Sequence, residues 1–167
     1  MALVTDLQVK LSAELTNALD LVTASVPLDL SSRTRLTSGT GLGAADMLWS
    51  DTRTLAASAT EDLDLAGSLT GPLGTTLTFA RIKLVYVTAL AANTNDVQVT
   101  RPASNGVPLF LAASDGLLVK PGGTFLWCAP NAAGIAVTAA TGDLLTLTNS
   151  AGSTSVTYSI VVIGASA

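Results

Sequence analysis

The sequence predicts an all-β domain, built as a sandwich or a barrel. Stretches rich in β-branched and apolar residues recur through the C-terminal two-thirds of the chain, for example at residues 78–90 and 156–164. Turn signals made of Gly, Pro, Asn and Asp separate these stretches at about 8 to 12 residues, which is typical of sandwiches and barrels. The 167 residues correspond to one ordinary domain that buries its core without metals or disulfides.

The middle of the chain predicts a central strand and two shorter ones. Residues 78–90 form a near-continuous β-branched and aromatic run, which indicates a strand buried on much of both faces. A turn at 93–96 precedes an alternating strand at 97–100. Beyond a turn-rich loop, we expect a further strand at 109–112.

Turn chemistry divides the C-terminal part. Pro121, Gly122 and Gly123 separate two short apolar runs, and this pattern predicts two strands joined as a hairpin. A Thr-Gly-Asp turn at 141–143 leads into a strand whose residues Leu145 and Leu147 share one face. Residues 156–164 are strongly β-prone and form the last predicted strand.

The N-terminal third fits two periodicities. Leucines recur at every fourth position, at Leu3, Leu7, Leu11, Leu15 and Leu19. That spacing suits a helix stripe, but apolar and polar residues also alternate over 9–16, which suits a strand. We favour the strand because residues 26–39 alternate too, so that Leu28 and Leu30 share a face. An extended arm that adds strands to a neighbouring subunit is the functional form of this interpretation.

The composition indicates a surface that is poor in charge. Charged residues make up 12% of the chain and hydrophobic residues 49%, a balance that favours a protein hiding surface against copies of itself or a partner. The net charge of −4, with scattered Lys and Arg, disfavours nucleic-acid binding. No apolar run reaches eighteen residues and no signal peptide is evident, so we expect neither a membrane protein nor a secreted one.

The acidic stretch "ATEDLDLAG" at 59–67 is the strongest candidate for a site. In an extended strand, Asp62 and Asp64 share one face while Leu63 and Leu65 share the other. We therefore interpret the stretch as a half-buried strand with a solvated acidic face. A Ca²⁺ or Mg²⁺ site needs more converging oxygens than two carboxylates on one strand provide.

The remaining candidates also favour structural roles. The chain has no histidine and one cysteine, which excludes His-based triads and His-containing zinc sites. We predict no enzyme activity, no catalytic residue, no metal and no cofactor. Cys128 is expected to be a buried, inert thiol, and the glycines of segment 39–43 a flexible loop rather than a phosphate cradle.

The large side chains are expected to serve packing and pairing. Trp49 and Trp127 are predicted to fill the core or a subunit seam rather than to stack on a ligand. Four arginines have the planar group suited to pairing with carboxylates across subunits, namely Arg33, Arg35, Arg53 and Arg81.

The chain resembles small virion structural proteins encoded beside the capsid genes of tailed bacteriophages. The resemblance covers nearly the whole chain and rests on residues 50–83 together with "NTNDVQV", "VKPGGTFLWCAP", "GDLLTLTNSAG" and "VTYSIVVIGASA". These markers are structural rather than catalytic, so no functional residue is carried over.

The resemblance implies a capsid decoration, or cement, protein. Such a protein would be a jelly-roll-like β-sandwich at residues 39–167, with an extended N-terminal arm at 1–38 belonging to the same unit. It would be made in the host cytoplasm and would sit, as a homotrimer, on the major capsid protein at the outside of the head. A tail, fibre or baseplate component would use the same architecture. A carbohydrate-binding jelly roll is a weaker alternative, because it needs more exposed aromatic residues.

Overall fold

The computed structural model describes residues 2–167, and within them the chain forms fourteen β-strands and no helix. In chain order the strands are β1 (Thr5–Ala18), β2 (Thr23–Ser38), β3 (Ala44–Ala45), β4 (Met47–Leu55), β5 (Thr60–Asp64), β6 (Leu69–Thr70), β7 (Thr76–Leu77), β8 (Arg81–Ala89), β9 (Val97–Thr100), β10 (Gly116–Val119), β11 (Thr124–Cys128), β12 (Ile135–Ala136), β13 (Leu144–Asn149) and β14 (Val156–Ala165). None of these described residues belongs to a helix long and apolar enough to cross a membrane.

Nine of the strands form a sandwich of two antiparallel sheets. The first sheet has the order β11-β8-β14-β4, with the short β12 beside β8. The second sheet has the order β10-β9-β13-β5. In each sheet a strand from the start of the domain pairs with one from its end: β4 with β14 in the first sheet, and β5 with β13 in the second. This connectivity is the double Greek key of a jelly roll. The predicted all-β, single-domain sandwich is confirmed.

The core lies between the two sheets and follows from strict alternation. In β13, Leu145 and Leu147 are fully buried, and in β14 the same is true of Val156, Ile160 and Val162. Because successive side chains of a strand point to opposite faces, these residues form the inner layer of each sheet. Their burial removes apolar area from water, which is the main force that holds the two sheets together.

The strongest strand predictions are confirmed. β8 lies in the middle of the first sheet, between β11 and β14, and most of its residues are buried on both faces. β9 covers the predicted residues 97–100, and β14 extends the predicted last strand by one residue, to Ala165. β1 and β2 confirm that the N-terminal third is extended and not helical.

The strand predicted at 109–112 is wrong. This segment is a series of turns, because nearby side chains satisfy its backbone in place of a strand ladder. Arg101 donates from Nη1 to the carbonyl of Phe110 at 3.1 Å, and the amide of Ala112 donates to Asp115 at 2.8 Å. The apolar residues of the segment still pack, since the ring of Phe110 stacks on Phe125 at 6.2 Å between centroids.

The hairpin predicted at Pro121, Gly122 and Gly123 is also wrong. β10 pairs with β9 in the second sheet, whereas β11 pairs with β8 in the first, so the turn carries the chain across the sandwich. Gly122 has a φ of 73°, a conformation that favours glycine. The turn residues therefore specify the reversal of the chain, but not the strand with which the next segment pairs.

The N-terminal strands form a long two-stranded ribbon, which we define as residues 5–38. Its ladder is unbroken from Thr5↔Leu36 to Ala18↔Thr23, and β1 alone spans about 45 Å at the usual rise per residue. Every residue from 8 to 33 is exposed. We call the end of the ribbon at Thr5 and Leu36–Ser38, which adjoins the sandwich, its foot. There β2 runs parallel to β3, and the amide of Gly43 donates to the carbonyl of Pro130 at 2.7 Å. The glycine segment 39–43, predicted as a flexible loop, thus joins the ribbon to the sandwich through specific hydrogen bonds.

Candidate interaction surface

The ribbon has one apolar and one polar face. Residues paired across an antiparallel ladder share a face, so the register places Leu11 beside Leu30 and Leu15 beside Val26. We call the apolar ribbon face the set Leu7, Val9, Leu11, Ala13, Leu15, Ala24, Val26, Leu28, Leu30 and Leu36. The polar residues that share this face, such as Ser32 and Thr34, are uncharged.

The apolar ribbon face is uncovered over most of its length. Leu15 is 74% exposed and Val26 is 65% exposed, whereas Leu36 at the foot is 1% exposed. The tip adds Leu21, which is 92% exposed. Proteins rarely expose large connected apolar patches without a role for them, so this strip is a candidate interaction surface.

Ion pairs within the chain occupy the opposite face. Arg33 donates from Nε to Oδ1 of Asp6 at 2.9 Å, and Nζ of Lys10 lies 3.7 Å from Oδ2 of Asp29. Ser25 hydrogen-bonds to Glu14. The guanidinium of Arg33 lowers the pKa of Asp6, chiefly through this hydrogen bond. The polar face is therefore internally matched in charge and suited to water.

At the foot of the ribbon the apolar face meets the outer surface of the first sheet. Leu3, Leu7 and Leu36 pack there with Leu84 and Ile163. Further apolar side chains surround this contact and are half-buried, namely Leu48, Tyr86, Leu126, Cys128 and Val161. The exposed strip on the ribbon is thus continuous with an apolar area on the sandwich.

The far half of the same outer surface is lined by hydroxyl groups. The Thr52 and Ser159 hydroxyls lie 2.9 Å apart, and so do those of Thr54 and Thr157. The register adds Thr88 beside Ser159 on this face. Because cross-strand hydroxyl pairs satisfy one another, this half of the surface is polar without carrying charge.

The predicted acidic cluster divides between two environments. Leu63 and Leu65 are buried, and Asp62 is exposed on the opposite face, as the alternation predicts. Asp62 accepts a hydrogen bond from Thr146, and Asp64 accepts one from the amide of Ala66 at 2.8 Å. These contacts use the two carboxylates locally, in a cross-strand pair and in a turn.

Glu61 belongs instead to a network between the two sheets. It accepts hydrogen bonds from the Tyr158 hydroxyl and, at 2.6 Å, from Nη1 of Arg53. Asp51 also pairs with Arg53, at 2.9 Å from Nε, and the guanidinium lies 5.2 Å from the ring centroid of Trp49. Burial, and then the hydrogen bond to Glu61, raise the pKa of the Tyr158 hydroxyl. This cluster closes one open side of the sandwich.

Sequence reasoning missed this network and a buried lysine. Glu61 and Tyr158 are 97 positions apart, and the only local signal was that Glu61 alternates onto the face of Leu63. Lys83 is fully buried, and its Nζ donates to the carbonyls of Asn131 and, at 2.7 Å, Ala132. These two hydrogen bonds fix the 131–132 loop against β8, and burial lowers the pKa of Lys83.

The other singled-out residues occupy structural positions. Trp49 is buried in the core, as predicted. Trp127 is half-buried and packs against the same core. Cys128 is half-buried, and burial raises the pKa of its thiol, so the reactive thiolate is disfavoured. Arg81 donates to the carbonyl of Ala167 at 3.0 Å.

Three of the four arginines therefore have hydrogen-bond or ion-pair partners within the chain: Arg33, Arg53 and Arg81. The fourth, Arg35, lies opposite Asp6 in the backbone register of the ribbon.

Residues 2–167 contain no group of three or more Cys, Asp or Glu side chains arranged to hold a metal ion. Comparisons with protein-family models, with curated proteins and with solved structures found no match.

Proposed function

We propose that this chain is a capsid decoration protein that sits on the outer surface of a phage head and stabilises the contacts between capsomers. The observation that carries the proposal is the projecting ribbon with its uncovered apolar face. The resemblance of the sequence to small virion proteins suggests that the assembly is a phage particle. The partners would be the major capsid protein and copies of the chain itself.

The division of the molecule into two parts supports an assembly role. The sandwich buries a complete core of its own, so the ribbon is not needed to complete that core. A ribbon that keeps an apolar strip in water is costly for an isolated chain, and this cost is removed when the strip is covered in an assembly. Binding only to the assembled state stabilises that state by mass action.

The outer surfaces of the sandwich also suit a repeated contact. The hydroxyl-lined half around Thr52, Thr54 and Ser159 offers many uncharged hydrogen-bonding groups on one sheet face. Contacts of modest individual strength become strong when several are made by one assembled unit, because the later contacts form at high effective concentration. An oligomer of this chain on the shell would use this effect.

The copy number of the chain in purified particles of the phage that encodes it tests the proposal. Quantitative mass spectrometry against the major capsid protein should give a ratio of order one. A ratio near one in a hundred would instead place the chain in the tail or neck and would overturn the decoration proposal.

A shortened ribbon tests the mechanism on the same particles. Replacing residues 11–30 by Asn-Gly joins Lys10 to Ser31, which are partners in the ladder, through a two-residue turn. The foot contacts of Leu7 and Leu36 remain. We expect this variant to fold and to bind particles that lack the chain at least about tenfold more weakly than the wild type. Binding of undiminished strength would contradict a role of the ribbon in attachment.

A further inference from the structure

We propose that the apolar ribbon face binds the same face of a second copy of this chain, so that two ribbons stack with their apolar sides together. This inference rests on the proposed function only for its assembly role, and it names the surface by which copies associate. It concerns the purified chain, without particles.

The area of the face fits a protein interface. Its six exposed Val and Leu residues are each between 43% and 74% exposed: Val9, Leu11, Leu15, Val26, Leu28 and Leu30. Together they present on the order of 600 Å², against roughly 800 Å² per partner in a standard interface. The leucines at the tip extend the strip further. The surface is therefore close in size to one side of a stable dimer.

The geometry of the ribbon also requires a covering layer. A two-stranded ribbon is marginally stable in water, and it gains stability when its apolar face packs on another layer. In this chain only the foot is covered, by Leu84 and Ile163 of the first sheet. Stacking two ribbons about 10 Å apart, as sheets stack in a sandwich, would cover both apolar strips at once.

The distribution of charge favours a second copy as the partner. No charged side chain shares the apolar face, so nothing on it attracts or repels a partner of a particular sign. The charges of the ribbon lie on the other face, where Arg33 pairs with Asp6 and Lys10 with Asp29. An uncharged apolar face can cover a copy of itself without burying an unpaired charge, which suits a symmetric contact between identical subunits.

Face packing is favoured over strand addition at the ribbon edge. Pro27 lies in the middle of β2 and has no N–H to donate to an added strand. Lys10 and Arg33 also lie along the ribbon, and charged side chains on edge strands hinder further pairing. The expectation that the arm adds strands to a neighbour is thus replaced by contact through its apolar side chains.

Sedimentation of the purified full-length chain tests the inference. We expect a dimer or higher oligomer at micromolar concentration for the wild type. The variant Leu11→Thr, Leu28→Thr, Leu30→Thr should associate at least about a hundredfold more weakly, because each substitution removes apolar area from the contact. The matched control Gln8→Thr, Ser12→Thr, Ser31→Thr changes three residues of the polar face and should associate like the wild type.

The thermal unfolding of all three proteins should be measured in parallel, to show that the sandwich is intact. A wild type that stays monomeric at about 100 µM would overturn the inference. It would leave the copy-number test of the decoration proposal untouched. Equal association of the two triple variants would also overturn it.

Cysteine cross-linking distinguishes ribbon-on-ribbon stacking from a ribbon lying on the partner's sandwich. In a Cys128→Ser background, Ala13→Cys places a thiol on the apolar face and Ser31→Cys places one on the polar face. Because stacked ribbons lie about 10 Å apart, which is too far for a direct disulfide, a short bis-maleimide should link Ala13→Cys into a dimer and link Ser31→Cys far less. Equal cross-linking of both variants, or none for Ala13→Cys in an oligomer, would contradict the stacked arrangement.

Discussion

The sandwich and the ribbon use the same sequence pattern with opposite outcomes. In β13 the alternating residues Leu145 and Leu147 are fully buried, whereas in β1 the alternating residues Leu11 and Leu15 are 53% and 74% exposed. The difference is the presence of a facing layer: β13 lies opposite the first sheet, and the outer ribbon faces water. Alternation therefore specifies which side chains share a face, but not what covers that face.

The comparison separates stability from assembly within one chain. Residues of the sandwich core contribute to the free energy of unfolding of the single molecule. If two copies stack as proposed, residues of the outer ribbon contribute only when the second copy covers them, and their effect then depends on protein concentration. Each of the following experiments changes one region and asks whether the other responds.

The largest expected effect comes from the same substitution made in both regions. Leu145→Ala should reduce the free energy of unfolding by about 2–5 kcal/mol, because it leaves a cavity in a fully buried site. Leu11→Ala should change the unfolding of the dilute monomer by less than about 0.5 kcal/mol, since that side chain already lies in water. Urea denaturation at low protein concentration measures both.

Raising the protein concentration extends this experiment. Leu11→Ala should then fall below the wild type in stability, while the deficit of Leu145→Ala should stay constant. A large loss for Leu11→Ala in the dilute monomer would mean that the ribbon packs on its own sandwich, which would remove the distinction between the two regions.

Much of the fold could be predicted from the sequence because local periodicity and turn chemistry are local properties. They gave β8, β9, β14 and the extended N-terminal strands. They failed where the answer depends on distant partners. The Pro-Gly-Gly turn has the chemistry of a hairpin, yet β10 and β11 find different partners because β9 and β8 lie in different sheets. Sheet assignment is a property of the whole topology.

The candidate surface was only partly predictable. Alternation over residues 9–16 and 26–39 predicted two-faced strands, and the low charge predicted a hidden surface. The register that joins Leu11 to Leu30 into one face required the structure. The network of Arg53, Glu61 and Tyr158 was missed because its members come from three strands of two sheets.

A smaller effect is expected from Tyr158→Phe in the sandwich. The substitution removes the hydroxyl that donates to Glu61 and should reduce the free energy of unfolding by about 1 kcal/mol at neutral pH. Because burial raises the pKa of Tyr158 in the folded state, its contribution is fully present below the ordinary pKa of about 10 and is lost as the pH rises beyond it. The stability of the wild type should therefore decline more steeply with pH than that of Tyr158→Phe.

Comparing the two proteins between about pH 8 and 11 isolates this residue. Burial lowers the pKa of Lys83, so the pH dependence that this residue contributes is opposite to that of Tyr158. Its contribution to stability rises as the pH increases toward the pKa of the lysine in the unfolded chain. That contribution is common to both proteins and cancels in their difference. Parallel pH profiles would show that the Tyr158 hydroxyl is not buried beside Glu61 as the structure places it.

The smallest effect is expected from Asp6→Asn at the base of the ribbon. Asp6 pairs with Arg33 across the ladder, and this contact lowers the pKa of the Asp6 carboxyl. Its contribution is therefore present above the ordinary carboxyl pKa of about 4 and is lost as the pH falls through the lower folded value. Both side chains are exposed to solvent, which screens the pair, so the effect should be confined to the ribbon.

Amide hydrogen exchange is the appropriate measurement, since it reports local opening residue by residue. In Asp6→Asn, amides of β1 and β2 should exchange faster than in the wild type, while amides of β8 and β14 should be unchanged. Asp20→Asn at the ribbon tip is a matched control, because Asp20 forms no ion pair within residues 2–167. Faster exchange in the sandwich strands would show that the ribbon and the sandwich unfold together, and the two regions would then form one cooperative unit rather than two.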